Sequence, residues 1–273
     1  MNSFQRILLL SLAALLPLFA QGQYESVSLH EQDDSIAAAH AFKGSHLIVP
    51  GVLITAGVTG FFEPVKTWKE TVRDNIREVN DNPITAEDYV QYMPAAGVLL
   101  TNLLMPDDTY ALKDRILLLG TSYALMGATV NALKYTVISP RPDIYDEYAY
   151  YGNPRGLTPK DNPHCFNSFP SGHTATAFMG AELARLEYGD DYPLIAVGAY
   201  ALAAGTGFLR VWNERHWCTD VLAGAGMGIL SARIAWRLLP YERQLLDKIC
   251  HKEIAVCPRT NGYQTELAFS VSF

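Results

Sequence analysis

Apolar residues fall in long runs that recur along most of the chain, with short polar breaks between them. The four longest runs are almost free of charge and lie at residues 46–62, 116–133, 195–209 and 221–239. Two shorter runs at 93–105 and 174–188 also have helical length, and residues 66–79 alternate charge as a solvent-exposed helix does. The pattern predicts an all-α fold, a helical bundle that is embedded in a membrane or associated with one.

Small residues are concentrated in the last two long runs. They include Gly198, Gly205, Gly207, Gly224, Gly226 and Gly228. Small side chains let helix backbones approach closely, as they do in membrane bundles. We therefore expect tight helix packing in this part of the chain.

The start of the chain has the pattern of a secretory signal, because Arg6 is followed by an apolar run to Ala20. The alternative is an uncleaved first membrane span. Both interpretations predict a chain that is exported or inserted in a membrane. The domain prediction is a signal or first span at residues 1–20, a polar lead-in at 21–44, a helical domain at 45–240 and a tail at 241–273.

Cysteine usage fits an oxidising compartment. The four cysteines are Cys165, Cys218, Cys250 and Cys257, and their spacing lacks the paired Cys-x-x-Cys steps of a zinc site. One of three disulfide pairings joins Cys165 to Cys218 and Cys250 to Cys257, and free buried thiols are the alternative. No metal site and no cofactor is predicted.

The formal net charge of −7 argues against a nucleic-acid partner, because such binding depends on neutralising phosphates with Lys and Arg. An anionic substrate must then be held by a local basic cluster.

Two further segments have distinct patterns. Apolar and polar residues alternate at 263–273 as they do in a strand, and this pattern favours an edge hairpin or a loose tail over a barrel strand. Residues 143–151 are rich in tyrosine and form a predicted loop, either at a lipid entrance or in an interfacial belt.

Three polar segments lie at predicted helix ends. The first places Lys134 at the end of an apolar helix and Arg141 seven residues later, before Pro142. Basic residues at a helix C-terminus are favoured by its dipole, so this segment alone indicates a cap or an interfacial anchor.

The second segment reads Pro170-Ser171-Gly172-His173-Thr174 and precedes a helix. Ser171 or Thr174 is a good helix cap in such a turn. The same geometry leaves free backbone N–H groups and a positive dipole end, which suit a phosphate. His173 then lies on the first helical turn, beside the bound anion.

The third segment contains Arg210, His216 and Asp220. The four-residue step from His216 to Asp220 puts both on one face if the helix has begun. A carboxylate bonded to one imidazole nitrogen fixes the tautomer and leaves the other nitrogen free as a nucleophile. Arg210 supplies a planar fork for phosphate oxygens.

Together the three segments resemble the signature of the type 2 phosphatidic acid phosphatase family, whose superfamily includes bacterial acid phosphatases and vanadium haloperoxidases. The match runs from Lys134 to Asp220 in order and spacing. It departs at one position, where Leu209 stands before Arg210 in place of the usual serine and removes one hydroxyl near the phosphate.

The resemblance implies a helical bundle and a role for each matched residue. His216 attacks phosphorus, Asp220 orients it, and His173 protonates the leaving oxygen and then activates water. The residues implied to hold the phosphate are Lys134, Arg141, Ser171, Gly172 and Arg210.

The resemblance also implies a metal-independent phosphatase of the bacterial cell envelope, in the inner membrane or periplasm, with its active site outside the cytoplasm. The expected substrate is a lipid phosphate monoester or pyrophosphate, of the lipid A, phosphatidylglycerophosphate or undecaprenyl pyrophosphate class. The alternatives are a soluble periplasmic acid phosphatase of broad specificity and a vanadium-dependent haloperoxidase. A fourth interpretation is a structural membrane bundle.

Overall fold

The computed structural model describes residues 44–80, 82–104, 110–250, 254–260 and 265–271. Within these ranges the all-α prediction is confirmed, with one short hairpin near the C-terminus. The helices are α1 (Ile48–Val58), α2 (Val65–Val79), α3 (Glu87–Val90), α4 (Met93–Leu104), α5 (Leu112–Thr136), α6 (Pro142–Ala149), α7 (Gly172–Tyr188), α8 (Pro193–Trp212) and α9 (Cys218–Cys250). The strands are β1 (Ile254–Thr260) and β2 (Thr265–Val271), which pair antiparallel.

Helix α7 lies at the centre of the bundle, with α4, α5, α8 and α9 packed around it. Its buried face is made of small and apolar residues, including Ala175, Ala177, Met179 and Leu183. The N-terminus of α7 is therefore held among the ends of neighbouring helices. This is the end that carries the predicted phosphate turn.

Glycines bring α9 into direct contact with the α1 and α7 backbones, as predicted. A Cβ at Gly226 would lie 2.7 Å from the Pro50 carbonyl oxygen on α1. One at Gly224 would overlap the Ser171 carbonyl at the start of α7, and one at Gly228 would overlap that of Ala175. In contrast, a Cβ at Gly198 or Gly205 on α8 would meet nothing within 4 Å. The close approach fixes the first turn of α7 against the first turns of α9.

Four helical segments of the described chain are long and apolar enough to cross a membrane: Gly44–Phe61, Leu112–Thr136, Pro193–Trp212 and Cys218–Leu246. They carry large apolar side chains on the outside of the bundle. Among these, Leu194 is 83% exposed, Val197 64% and Phe208 58%. Such a surface is stable in lipid and unfavourable in water.

The prediction of a loop at 143–151 is wrong, because residues Pro142–Ala149 form helix α6. Proline is well suited to the first helical position, where its missing N–H costs no hydrogen bond. Tyr145 on this helix packs edge-to-face against Trp217 with ring centroids 5.2 Å apart. Tyr150 and Tyr151, which follow it, are exposed.

Helix α2 is confirmed at 66–79, but it is less solvated than its charge pattern predicts. Lys69 and Arg73 are buried, and both lie over the Trp217 ring, at 4.8 and 5.5 Å from its centroid. Burial lowers the pKa of Lys69, and the nearby Asp220 carboxylate opposes that shift.

Cys165 and Cys218 are free thiols, so of the alternatives left open for these two cysteines the structure has the unpaired one. The side chains of Cys250 and Cys257 lie outside the described part of the structure. So do the predicted signal at 1–20 and all of the lead-in except Gly44. The strand pattern of the tail is confirmed by β2, which pairs with Ile254–Thr260.

Candidate active site

Two loops bring the first and second polar segments together. Ser139 donates its N–H to the Phe166 carbonyl (2.9 Å), and Ser168 donates its N–H to the Ser139 carbonyl (3.0 Å). The Arg141 N–H is bonded in the same way to the Cys165 carbonyl at 2.9 Å. These bonds satisfy backbone groups that would otherwise be buried unpaired. They place the Lys134–Arg141 segment beside the turn that starts α7.

Ser171 is the N-cap of α7, as predicted, and its hydroxyl accepts the Thr174 N–H at 3.4 Å. The N–H groups of Gly172 and His173 lie in the first helical turn, where the helix itself supplies no acceptor. The Ser171 N–H is bonded to the Asp220 carbonyl at 3.1 Å, which joins the second segment to the third. The turn therefore offers two N–H groups to an anion.

His216 lies in the turn before α9, which begins at Cys218, so His216 and Asp220 do not share a helical face. The His216 Nδ1 atom is 2.7 Å from the Ser168 carbonyl oxygen and 3.7 Å from Asp220 Oδ2. The direct partner of the imidazole is thus a backbone carbonyl, and the predicted contact with Asp220 is indirect. A carbonyl can only accept, so Nδ1 carries the proton and Nε2 keeps its lone pair.

Asp220 stabilises the turn that contains His216. Its Oδ2 accepts the Ser168 hydroxyl at 2.5 Å and the Trp217 N–H at 3.1 Å. Both His216 and Asp220 are almost completely buried. Removing the carboxylate would take away both of these hydrogen bonds next to the imidazole.

Burial holds the pKa of His216 well below its usual value, and the positive charges of Lys134, Arg141 and Arg210 lower it further. The imidazole is therefore neutral at ordinary pH. A neutral imidazole surrounded by three cations has the electronic form of a nucleophile for an anionic substrate.

The cations of the first segment are anchored to the loops and keep spare donors. Lys134 Nζ donates to the Asn167 carbonyl at 2.6 Å. Arg141 donates to the His164 carbonyl (2.7 Å), the Arg215 carbonyl (2.9 Å) and Asn167 Oδ1 (3.0 Å). Each group retains further N–H donors for a bound anion.

Arg210, at the end of α8, is buried and pairs with a carboxylate from α3. Its Nη1 atom is 3.2 Å from Glu87 Oε1, an oxygen that also accepts Asn213 Nδ2 at 2.7 Å. Arg210 Nε is buried without a hydrogen-bond partner among the described residues, and so is Glu87 Oε2. An unpaired buried donor is costly, and an incoming phosphate oxygen would satisfy it.

His173 is partly exposed, and its Nε2 atom is 3.0 Å from Asp88 Oδ1. Burial and the positive charge of Arg210 lower the pKa of His173, while the Asp88 carboxylate opposes that shift. His173, Arg141 and Arg210 line a cavity of about 380 Å³ together with Glu87, Asp88 and Asn213. Within the described residues, no group of His, Cys, Asp and Glu side chains is arranged to hold a metal ion.

Four residues of the site were not predicted from the sequence: Ser168, Asn167, Glu87 and Asp88. The first two lie just before the phosphate turn, so proximity in sequence was a usable signal for them. The acidic pair lies more than 80 residues before His173 and had no signal.

Residues 115–244 match the model of the PAP2 superfamily. This segment contains every residue of the predicted site. Residues 115–244 belong to the PAP2 superfamily. The resemblance seen in the three polar segments is thereby confirmed.

The PAP2 segment is similar to proteins named lipid A 1-phosphatase. One from Porphyromonas gingivalis is 42% identical over 113 residues, which are 41% of this chain and 21% of that protein. One from Rhizobium etli is 34% identical over 112 residues, 40% of this chain and 44% of that protein. The chain thus matches less than half the length of these two relatives. A bacitracin transport permease protein, BcrC, from Bacillus licheniformis is 27% identical over 71% of this chain and 95% of that protein.

Two solved structures are similar to the chain. The crystal structure of Aquifex aeolicus LpxE has a TM-score of 0.41 and 22% identity, over 59% of this chain and 92% of that one. A transmembrane PAP2 type phosphatidylglycerolphosphate phosphatase from Bacillus subtilis has a TM-score of 0.30 and 20% identity, over 83% and 98%. Separately from these structures, the four apolar helices long enough to cross a membrane and the relatives named above support a membrane-bound protein.

Proposed function

We propose that the chain hydrolyses a lipid phosphate monoester or pyrophosphate through a phosphohistidine formed on His216. The observation that carries this proposal is the state of His216: a buried, neutral imidazole whose Nδ1 is held by the Ser168 carbonyl at 2.7 Å. That bond leaves Nε2 to attack. The surrounding cations supply the charge stabilisation that phosphoryl transfer needs.

In the first step, His216 Nε2 attacks phosphorus and forms an N–P bond. The P–O bond to the leaving group breaks, and its electron pair stays on the leaving oxygen, which takes a proton from His173. In the second step, His173 removes a proton from water. The resulting hydroxide attacks phosphorus, the N–P electrons return to Nε2, and phosphate is released.

The phosphate oxygens are held by donors from all three segments. These are Lys134 and Arg141, the N–H of Gly172 and the hydroxyl of Ser171, and Arg210 with its unpaired Nε. Asp220 acts through Ser168 and the Trp217 backbone to keep His216 in place. The nucleophile, the acid and the anion donors all come from side chains and backbone, so the proposed reaction requires no metal.

Lipid is the favoured leaving group because the site lies in a chain with four apolar helices long enough to span a membrane. Lipid A 1-phosphate is the first substrate to test, since two relatives that match residues of this segment are named lipid A 1-phosphatase. Phosphatidylglycerophosphate and undecaprenyl pyrophosphate follow. We further propose that the protein acts in the bacterial cell envelope, with its active site outside the cytoplasm.

The test is phosphate release from these three lipids in mixed micelles with EDTA present, by the wild type and by His216→Ala. We expect release by the wild type alone. Brief incubation with ³²P-labelled lipid should also give an acid-labile phosphoenzyme in the wild type, because an N–P bond is hydrolysed in acid. Equal activity of the two proteins would overturn the nucleophile assignment.

The remaining outcomes identify the alternatives. Hydrolysis of soluble phosphate esters with no preference for lipids would favour an acid phosphatase of broad specificity. Vanadate-dependent bromination by a chain that releases no phosphate would favour a haloperoxidase. Inactivity in every assay, with an unchanged fold, would favour a structural bundle.

A further inference from the structure

Helix α3 brings two adjacent carboxylates to the cavity: Glu87 contacts Arg210, and Asp88 contacts His173 and, at a longer distance, Arg210. Glu87 is buried and pairs with Arg210 at 3.2 Å. Asp88 is 56% exposed, and its Oδ1 lies 3.0 Å from His173 Nε2 and 3.7 Å from Arg210 Nη1. Neither carboxylate belongs to the three polar segments that define the PAP2 signature.

The contact between Asp88 and His173 has little value for stability. Exposed ion pairs gain little energy, because solvent screens their attraction and ordering the side chains costs entropy. For the proposed reaction, however, His173 must hold a proton while Arg210 lies nearby. A carboxylate on one imidazole nitrogen favours the doubly protonated ring and fixes its orientation.

We propose that Asp88 is a positioning residue for His173: its carboxylate binds the Nε2–H and so directs the Nδ1–H to the leaving oxygen. When that proton is transferred, the P–O electron pair stays on the leaving oxygen and neutral His173 keeps its Nε2–H on Asp88. Nδ1 is then the base that accepts the proton of the attacking water. This inference rests on the proposed function and adds to it a residue outside the family signature.

The leaving group provides the test, because protonation matters most for the poorest leaving group. Phosphatidic acid releases the alkyl oxygen of diacylglycerol, which needs a proton, whereas diacylglycerol pyrophosphate with the same chains releases phosphatidic acid through a phosphate oxygen, which hardly needs one. For Asp88→Asn we expect kcat to fall about 10- to 100-fold on phosphatidic acid and by less than about threefold on the pyrophosphate. The thermal unfolding midpoint should stay unchanged.

Glu87→Gln is the matched control, since it changes the adjacent carboxylate that serves Arg210. It should raise KM for both lipids by similar factors and leave the ratio of their kcat values as in the wild type. A loss by Asp88→Asn that is equal on both lipids, or absent on both, would overturn the positioning role.

The outcomes distinguish a failure of the proposed function from a failure of this inference. Activity of His216→Ala on either lipid would overturn the phosphohistidine mechanism, whatever Asp88→Asn does. Inactivity of the wild type on both of these lipids and on the three lipids of the preceding test would overturn the lipid-phosphate function and this inference with it. An inactive His216→Ala with an unselective Asp88→Asn would overturn the inference alone.

Discussion

Two buried clusters of charge lie in the same bundle and differ in how completely their polar atoms are paired. The first surrounds Glu182, near the middle of α7. Its Oε1 accepts Arg185 Nη2 at 2.7 Å and Arg233 Nε at 2.6 Å, and its Oε2 accepts Arg185 Nε at 2.9 Å and the Tyr200 hydroxyl. Glu182 and Arg233 leave no buried nitrogen or oxygen without a partner. This cluster joins α7, α8 and α9.

The second cluster is the candidate site, at the N-terminal end of the same helix. Here Arg210 Nε and Glu87 Oε2 are buried without partners among the described residues. Unpaired buried polar atoms are costly in the free protein and are retained where a ligand pairs them. Arg210 Nε is therefore a buried donor that a bound anion can pair, whereas the charges of the Glu182 cluster are already paired across three helices.

The sharpest way to test this comparison is to remove the unpaired donor and keep the charge. Arg210→Lys loses Nε and the planar fork, so we expect kcat/KM for lipid phosphate to fall by up to about a thousandfold. The thermal unfolding midpoint should change little, because the lost donor was unpaired in the free protein. Steady-state kinetics and differential scanning fluorimetry in detergent measure the two effects.

Arg233→Lys is the control for that change, since it makes the same substitution in the Glu182 cluster. It should lower the unfolding midpoint and leave KM unchanged. If Arg210→Lys lost stability but retained activity, the unpaired Nε would have no role in binding, and the distinction between the clusters would be wrong.

A somewhat smaller effect, on the free energy of unfolding, is expected when the Glu182 cluster is disrupted. Glu182→Gln removes the counter-charge of the partly buried Arg233, and uncompensated buried charge costs about 3 kcal/mol of unfolding free energy. The kcat and KM of the folded fraction should equal those of the wild type. Chemical unfolding in detergent followed by tryptophan fluorescence gives the free energy.

Glu147→Gln serves as the reference for that measurement. Glu147 pairs with Arg155, whose side chain is 58% exposed, so solvent already screens the interaction. We expect no measurable change in stability. An equal loss in both variants would mean that the Glu182 cluster contributes no more than a surface pair.

The helices and the phosphate site were predictable because their signals are local. Long apolar runs identify the helices, and the spacing from Lys134 to Asp220 identifies the site residues. The contact of His216 was not predictable, since its partner is the backbone carbonyl of Ser168, a group that every residue has. A four-residue step suggested Asp220 instead, but the helix begins two residues after His216.

Helix α6 and the acidic pair were missed for different reasons. The tyrosine-rich pattern of residues 143–151 predicted a loop, but Pro142 suits a first helical position and a helix begins there. Glu87 and Asp88 reach the site only because α3 packs against α8 and α7 in the folded bundle. Contacts between residues so far apart in sequence depend on the tertiary fold.

The smallest predicted effect concerns pH and the burial of His216. Its pKa is far below the unfolded value of about 6.5, so the folded protein excludes a proton that the unfolded chain binds below that pH. Stability from this residue is therefore present above pH 6.5 and lost as pH falls, by at most about 1.4 kcal/mol per pH unit. Unfolding free energies at pH 7.5 and 5.5 measure the loss. His216→Asn, whose amide can still donate to the Ser168 carbonyl, should lose about 1 kcal/mol less over this interval, because all other titrating groups are shared. Equal losses in both proteins would mean that folding leaves the pKa of His216 unshifted, so burial would not be what keeps the imidazole neutral.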